Sequence, residues 1–428
     1  MGKRTKWFRL DNAALIFPAA MRKGWNNAFR VSVTFSDTID LACLSLAVQD
    51  IRERFPTFFV RLRTGLFWYY LEEVTGDIPI REEYAYPLTP MSRKDLRRSC
   101  IRILYHGSRI AVEIFHAVTD GTGGMLFLKN LAAAYLRRKE CCEIPCRNGI
   151  LDPAGRPDPE EIRDLFPVYS GPKAMGRGEE NAYRLRGERE EDGFRHLITG
   201  ILPTDSILRE AHARGVSVTS FLCAVMAESV AKLQKKRERN QRPVKITVPV
   251  NLRKIFPGAT LRNFALTVNV GYDPGLGEYT LDEIMRQVSC QLAGETIPQK
   301  MAARIAANVN PQKVHLICAL PLFVKNPVMR AIYLFSERKG CLNISNLGNV
   351  ELPEEMGKRI RRIQFIIGVQ ASYPNNCSVL SWNGRTYINM IRSTKDSELE
   401  RLFFSRLVEL GLPVEIESNE RREKECTA

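Results

Sequence analysis

The sequence predicts an α/β fold of the two-layer α+β kind. Three observations carry this: runs in which apolar residues alternate with period two, runs in which they recur at helical spacing, and interleaving of the two in both halves of the 428 residues. That length exceeds the ~100–200 residues of one domain, so two domains are expected. Hydrophobic residues make up 44% and charged residues 26%, the balance of a globular chain with a sizeable core.

The elements follow in order. "FRVSVTFSD" (29–37) alternates and reads as a strand, and "TIDLACLSLAVQDIRERF" (38–55) as a helix capped by Asp37 or Thr38. After Pro56, "TFFVRLR" (57–63) and "LFWYYLEE" (66–73) read as a hairpin turning at Thr64 and Gly65. "SCIRILYHG" (99–107) and "SRIAVEIFHAV" (108–118) read as a second hairpin, and "GMLFLKNLAAAYLRRKE" (124–140) as a helix leaving a glycine-rich turn. From about 141 to 193 Pro, Gly and charged residues dominate, which predicts a linker or crossover on the surface. The expected organisation is a first unit over 1–160, the connection over 161–193 and a second unit over 194–428. Strands are expected there at 194–203, 244–252, 263–272, 341–348, 360–368 and 385–393. Helices are expected near 204–213, 218–236, 280–295 and 298–309, followed by an apolar stretch to about 337 and an amphipathic helix at 395–411.

Composition narrows the function classes. No apolar run approaches the ~20 residues that span a bilayer, and "VHLICALPLFV" (314–324) is too short. The opening "MGKRTKWFRLDNAALIFPAAMRKGW" is broken by Asp11, Asn12 and Pro18, so it does not read as a signal peptide. Lys6 stands where myristoylation needs Ser or Thr, and a cytoplasmic protein is expected. The 11 cysteines are scattered; Cys43, Cys100, Cys223, Cys290 and Cys318 sit in apolar segments and read as buried thiols. "CCEIPC" (141–146) lacks a second pair at zinc spacing and a nearby His, so no metal site is expected.

A net charge of +15 raises the question of an anionic partner. The densest block, "KLQKKRERNQRPVK" (232–245), reads first as a solvated helix end with cations near its C-terminus. The functional readings are a phosphate-bearing cofactor, an acidic carrier protein and, last, nucleic acid. No zinc-finger spacing, RNP-like strand or basic-aromatic interleaving supports the last.

One stretch stands out, "AVEIFHAVTDGTGG" (111–124). On a strand, Ile110, Val112, Ile114 and His116 share one face, so His116 continues an apolar row up to a turn. A general base needs such a half-shielded imidazole with one ring nitrogen free. Asp120 can shape the turn through an Asx-type hydrogen bond, while Gly121, Gly123 and Gly124 permit positive φ and close backbone approach. From these residues alone a structural histidine at a strand end is the ordinary reading.

The spelling "HAVTDG" (His116 to Gly121) resembles the HxxxDG motif of the CoA-dependent acyltransferase superfamily, which contains chloramphenicol acetyltransferase, dihydrolipoyl acyltransferases and condensation domains. "RLDNAALIFPAA" (9–20) and "VPVNLRKIFPGATLRNFALTVNV" (248–270) resemble the bacterial alcohol-acetyltransferase-like branch. "LNISNLGNV" (342–350) resembles a late strand found there and in dihydrolipoyl acyltransferases. Phe115 replaces the preceding histidine of condensation domains, which favours the acetyltransferase-like branches.

The resemblance implies two chloramphenicol-acetyltransferase-like lobes in one chain with a tunnel between them, and hence a monomer that is a pseudo-dimer. It implies an acyltransferase that moves an acyl group from coenzyme A to a small-molecule alcohol, with acyl-CoA as cosubstrate and no bound cofactor. His116 would be the base, Ser345 the first and Asn343 the second oxyanion donor, and Asn346 the alternative if that strand is rotated. Asp120 would brace the loop by pairing with an arginine, for which Arg61 and Arg253 both stand open, and Gly121 would let the turn close. The alternatives are a condensation-type enzyme using a carrier-protein thioester or an amine acceptor, and a non-catalytic binding module on the same fold.

Overall fold

The computed structural model describes residues 5–21, 27–176, 178–370 and 372–421. Residues 1–4 and 22–25 of the N-terminal segment discussed above lie outside them. The first half contributes strands β1 (Trp7–Arg9), β2 (Ala28–Phe35), β3 (Val60–Thr64), β4 (Tyr69–Glu73), β5 (Ile80–Glu82), β6 (Ile101–His106) and β7 (Arg109–Phe115). Its helices are α1 (Ile16–Ala20), α2 (Leu41–Asp50), α3 (Arg93–Leu96) and α4 (Gly121–Glu140). The second half contributes β8 (His196–Pro203), β9 (Val244–Asn251), β10 (Ala265–Tyr272), β11 (Leu342–Asn349), β12 (Ile360–Ile367), β13 (Asn375–Trp382), β14 (Arg385–Arg392) and β15 (Glu415–Ser418). Its helices are α5 (Thr204–Ala213), α6 (Val218–Arg237), α7 (Leu281–Glu295), α8 (Pro298–Lys313), α9 (His315–Ala319), α10 (Leu322–Glu337), α11 (Glu354–Gly357) and α12 (Glu398–Glu409).

The strands form three sheets: β1-β4-β3, β12-β2-β7-β6-β5 and β10-β9-β11-β13-β14-β8-β15. In the five-stranded sheet β2 and β7 run antiparallel from Ala28↔Phe115 to Thr34↔Arg109, and α4 packs against β2. The far edge is closed by the second half of the chain, because β12 pairs antiparallel with β2 from Ile367↔Phe29 to Ile360↔Phe35. Buried apolar residues gather in two clusters, one around Phe29, Ile114 and Phe127 and one around Phe221, Val268 and Ile344.

Several expectations need correction. The helix expected over 38–55 is confined to α2, with Asp40 as its cap accepting from the Cys43 amide at 3.0 Å; Asp40, not Asp37 or Thr38, can reach that orphan N–H. The helix expected from 124 begins at Gly121. Residues 161–193 do not lie wholly on the surface: Leu165, Phe166 and Tyr183 enter the second core, and Glu161 pairs with Arg54 at 2.5 Å out of water. Cys100 and Cys223 are buried, and burial pushes their thiols up, but Cys290 and Cys318 are exposed because α7 and α9 turn those positions outward. β13 carries no apolar alternation to announce it. Its polar side chains are satisfied inside the fold, Asn376 by Gly368 O at 2.7 Å and Ser378 by Phe365 O at 2.8 Å. No single helix among the described residues is long and apolar enough to cross a membrane; a bent pair, α5 with α6, passes by length and composition, and most of α6 is buried in the second core.

Candidate functional site

The strand pairing of β7 ends at Phe115, and His116 follows, its amide donating to Asn27 O at 2.7 Å. The half-buried imidazole lies between Phe17 and Phe29, with ring centroids at 4.8 and 5.3 Å, so two apolar rings shield it from bulk water. Its Nδ1 is 2.9 Å from Asn263 Oδ1. The network assigns the tautomer. Asn263 Nδ2 donates to Asp11 Oδ2 at 3.0 Å and to His116 O at 2.9 Å. Rotating the amide would face its oxygen with two acceptors, so Oδ1 must accept, and Nδ1 carries the proton. In the neutral ring Nε2 then keeps its lone pair, and no described residue hydrogen-bonds to it.

Asp11 anchors this arrangement. It is buried and also accepts from the Ala14 amide at 2.8 Å and the Asn263 amide at 3.3 Å, with Arg262 Nε at 3.4 Å. Burial pushes its carboxyl above the usual range, against the opposing pull of Arg262 and the hydrogen bonds. Nearby Asp164 is pushed up to about 6, first by burial and then by the Asp11 charge. Sequence reasoning assigned no role to Asn263 or Asp11. Both lie within stretches that carried the family resemblance, "TLRNF" and "RLDNAALIF", which was the available signal.

Asp120 caps α4 and ties it to the loop between β9 and β10. Oδ1 accepts from the Gly123 amide at 3.1 Å, while Oδ2 accepts from Arg253 Nη1 at 2.7 Å and the Phe264 amide at 2.8 Å. Arg253 is held in turn by Thr260 O at 2.9 Å and Arg262 O at 2.5 Å. Arg61 does not reach Asp120; it lies on β3 and pairs with Glu72 at 2.6 Å. The three glycines of the motif need no positive φ, since they form the first turn of α4. Their requirement is space. A Cβ on Gly121 would lie 3.0 Å from Leu347 Cδ2, one on Gly123 2.6 Å from Leu261 O, and one on Gly124 2.6 Å from the Phe29 ring.

A cavity of about 580 Å³ runs past His116. It exists because β9 and β11 separate. They pair only at Leu342↔Ile246 and Asn343↔Thr247, after which β11 stays with β13 and bulges between Asn346 and Asn349. Asn343, Ser345 and Asn346 all line the cavity, with Thr219, Thr247 and Asn263 among the other polar walls. Strand alternation assigns Asn343 and Ser345 to one face, and the opened slot brings Asn346 to the cavity as well. Asn346 is engaged, donating to Thr219 Oγ1 at 3.1 Å and accepting from the Gly348 amide at 2.8 Å. A second cavity of about 490 Å³ shares Asn269 with the first and is lined by Lys245, while Lys254 lines the first.

No protein-family model and no curated protein sequence matches the chain. Solved structures do. The chain is similar to polyketide synthase associated protein 5 from Mycobacterium tuberculosis, with TM-score 0.59 and 12% identity over 94% of this chain and 96% of that one. It is similar to TRI101 of F. sporotrichioides, solved with coenzyme A and T-2, with TM-score 0.63 and 12% identity over 93% and 97%. It is also similar to the epimerization domain of the third module of tyrocidine synthetase B, with TM-score 0.59 and 14% identity over 96% and 97%. The chain therefore shares the fold of these three proteins.

Proposed function

We propose that the protein is an acyltransferase that moves an acyl group, acetyl in the simplest case, from coenzyme A to an alcohol. The observation that carries this reading is the hydrogen bond between His116 Nδ1 and Asn263 Oδ1, which leaves Nε2 of the neutral ring available as a base in a side chain that lines the cavity between β9 and β11. Nε2 takes the proton of the acceptor hydroxyl as its oxygen attacks the thioester carbonyl. The Ser345 hydroxyl, with Asn343 second, donates to the developing oxyanion. Collapse of the tetrahedral species breaks the C–S bond, and the His116 imidazolium returns its proton to the leaving thiolate. Lys254, on the cavity with His116, is a cation suited to the donor's phosphates. In this reading the lobes 1–160 and 194–428, joined by 161–193, complete one site within a monomer.

The test is thiol release from acetyl-CoA with a panel of alcohols. His116→Ala is expected to lower turnover by roughly 10²- to 10⁴-fold with the melting temperature retained. Unchanged turnover refutes the base assignment. Absence of turnover in the unmodified protein, together with no CoA-induced thermal shift, favours a non-catalytic binding module.

A further inference from the structure

Helix α10 turns an apolar side to solvent. Val324, Val328, Ala331 and Phe335 recur at i, i+4, i+7 and i+11 and are all exposed, where a helix of a globular protein ordinarily directs such a stripe at the core. Phe323 is 73% and Phe335 61% exposed. The patch extends beyond the helix. α9 adds Leu316, 76% exposed, and the β3–β4 turn adds Leu66 and Trp68, exposed by 65% and 54%. These pieces are fastened together: the Leu322 amide donates to Leu66 O, Lys325 Nζ to Phe67 O and Asn326 Nδ2 to Tyr69 Oη, each at 2.9 Å.

The charge around the patch is predominantly positive. From Thr296 to Ser336 the chain contains no Asp or Glu, while Lys313 and Arg330 are exposed there. On the adjoining three-stranded sheet, register places Trp7, Arg9, Tyr70, Arg61 and Arg63 on one face, with Glu72 shared between Arg61 and Arg63. The inner side of α10 meets the catalytic cavity, which Tyr333 and Ser336 line.

We propose that this face docks the protein on an anionic lipid surface. Exposed aromatic and aliphatic side chains with lysine and arginine nearby in the same elements match the boundary between headgroups and acyl chains. A second copy of the chain fits worse, because two cationic faces of a protein with net charge +15 repel. Resting on the acyltransferase reading, docking would set the cavity beside an acceptor or acyl chain dissolved in the bilayer.

The experiment is flotation of the full chain with phosphatidylcholine vesicles and with vesicles also containing phosphatidylglycerol. The unmodified protein is expected to float with the anionic vesicles and to be released by salt. The triple substitution Phe323→Glu, Val328→Glu, Phe335→Glu is expected to float at least about 10-fold less, with unchanged melting temperature and unchanged turnover on water-soluble substrates. Leu66→Ser with Trp68→Ser, on a separate element, is expected to act in the same direction and serves as the test if the triple variant is unstable. Equal flotation of these variants and the unmodified protein, or no flotation of the latter, overturns the proposal. So does a dimer of the unmodified protein that the triple substitution dissociates, which would assign the face to a second copy. Vesicle binding without turnover would refute the proposed reaction and leave the docking intact.

Discussion

Asn263 is the residue on which the proposed chemistry of His116 is expected to depend most, although it need not touch substrate. Asn263→Ala removes the acceptor 2.9 Å from Nδ1 and one of the donors to Asp11. In the transition state the imidazole becomes a cation, and a hydrogen bond to a charged group contributes about 1.5–3 kcal/mol. Its loss corresponds to a fall in turnover of roughly 10- to 150-fold. Asn263→Asp separates positioning from mere structure. The oxygen that replaces Nδ2 faces Asp11 Oδ2 and His116 O, so the new carboxyl and Asp11 share a proton, and the negative charge left on the pair beside Nδ1–H stabilises the imidazolium; the acidic limb of the pH–rate profile should move to higher pH, because His116 must be neutral to accept a proton. The assay is thiol release from acyl-CoA across pH, with melting curves recorded for each variant. Turnover of Asn263→Ala within about two-fold of the unmodified protein, at an unchanged melting temperature, would refute the reasoning.

Two further predictions concern stability. Arg253→Ala leaves Asp120 buried without its ionic partner and should destabilise by about 3–5 kcal/mol, whereas Arg61→Ala, a third exposed on β3, should cost under about 1 kcal/mol; denaturant unfolding compares them. Asp164 is raised from 3.8 to about 6 in the folded state, so the fold binds its proton more tightly than the unfolded chain. Its contribution is present below pH 3.8 and is lost as pH rises through about 6, an upper bound of roughly 3 kcal/mol. The cost of Asp164→Asn should therefore be smaller at about pH 7.5 than at about pH 4, and a pH-independent cost would contradict the burial argument.

Local periodicity determined much of this protein. The alternation of 29–37 and 108–118 specified β2 and β7, helical spacing specified α4 and α6, and His116 could be placed at the end of an apolar row because strand side chains alternate with period two. The motif spelling likewise singled out Asp120 as a shaper of the turn. What lay beyond the sequence were the choices that depend on which distant segments meet. Arg61 and Arg253 were equally available arginines until the loop after β9 folded onto the N-terminus of α4, bringing Arg253 to Asp120 across 133 positions. Asn263 acquired its role from the same closure. β13 escaped notice because its asparagines and serines are satisfied by partners on other strands, which no local pattern records. The slot between β9 and β11 depends on where their pairing stops, at Asn343↔Thr247. For α10 the sequence reading went no further than an apolar stretch to about 337, and which side meets solvent was decided by what packs against it: the cavity wall occupies its inner face, and its apolar stripe is left outside.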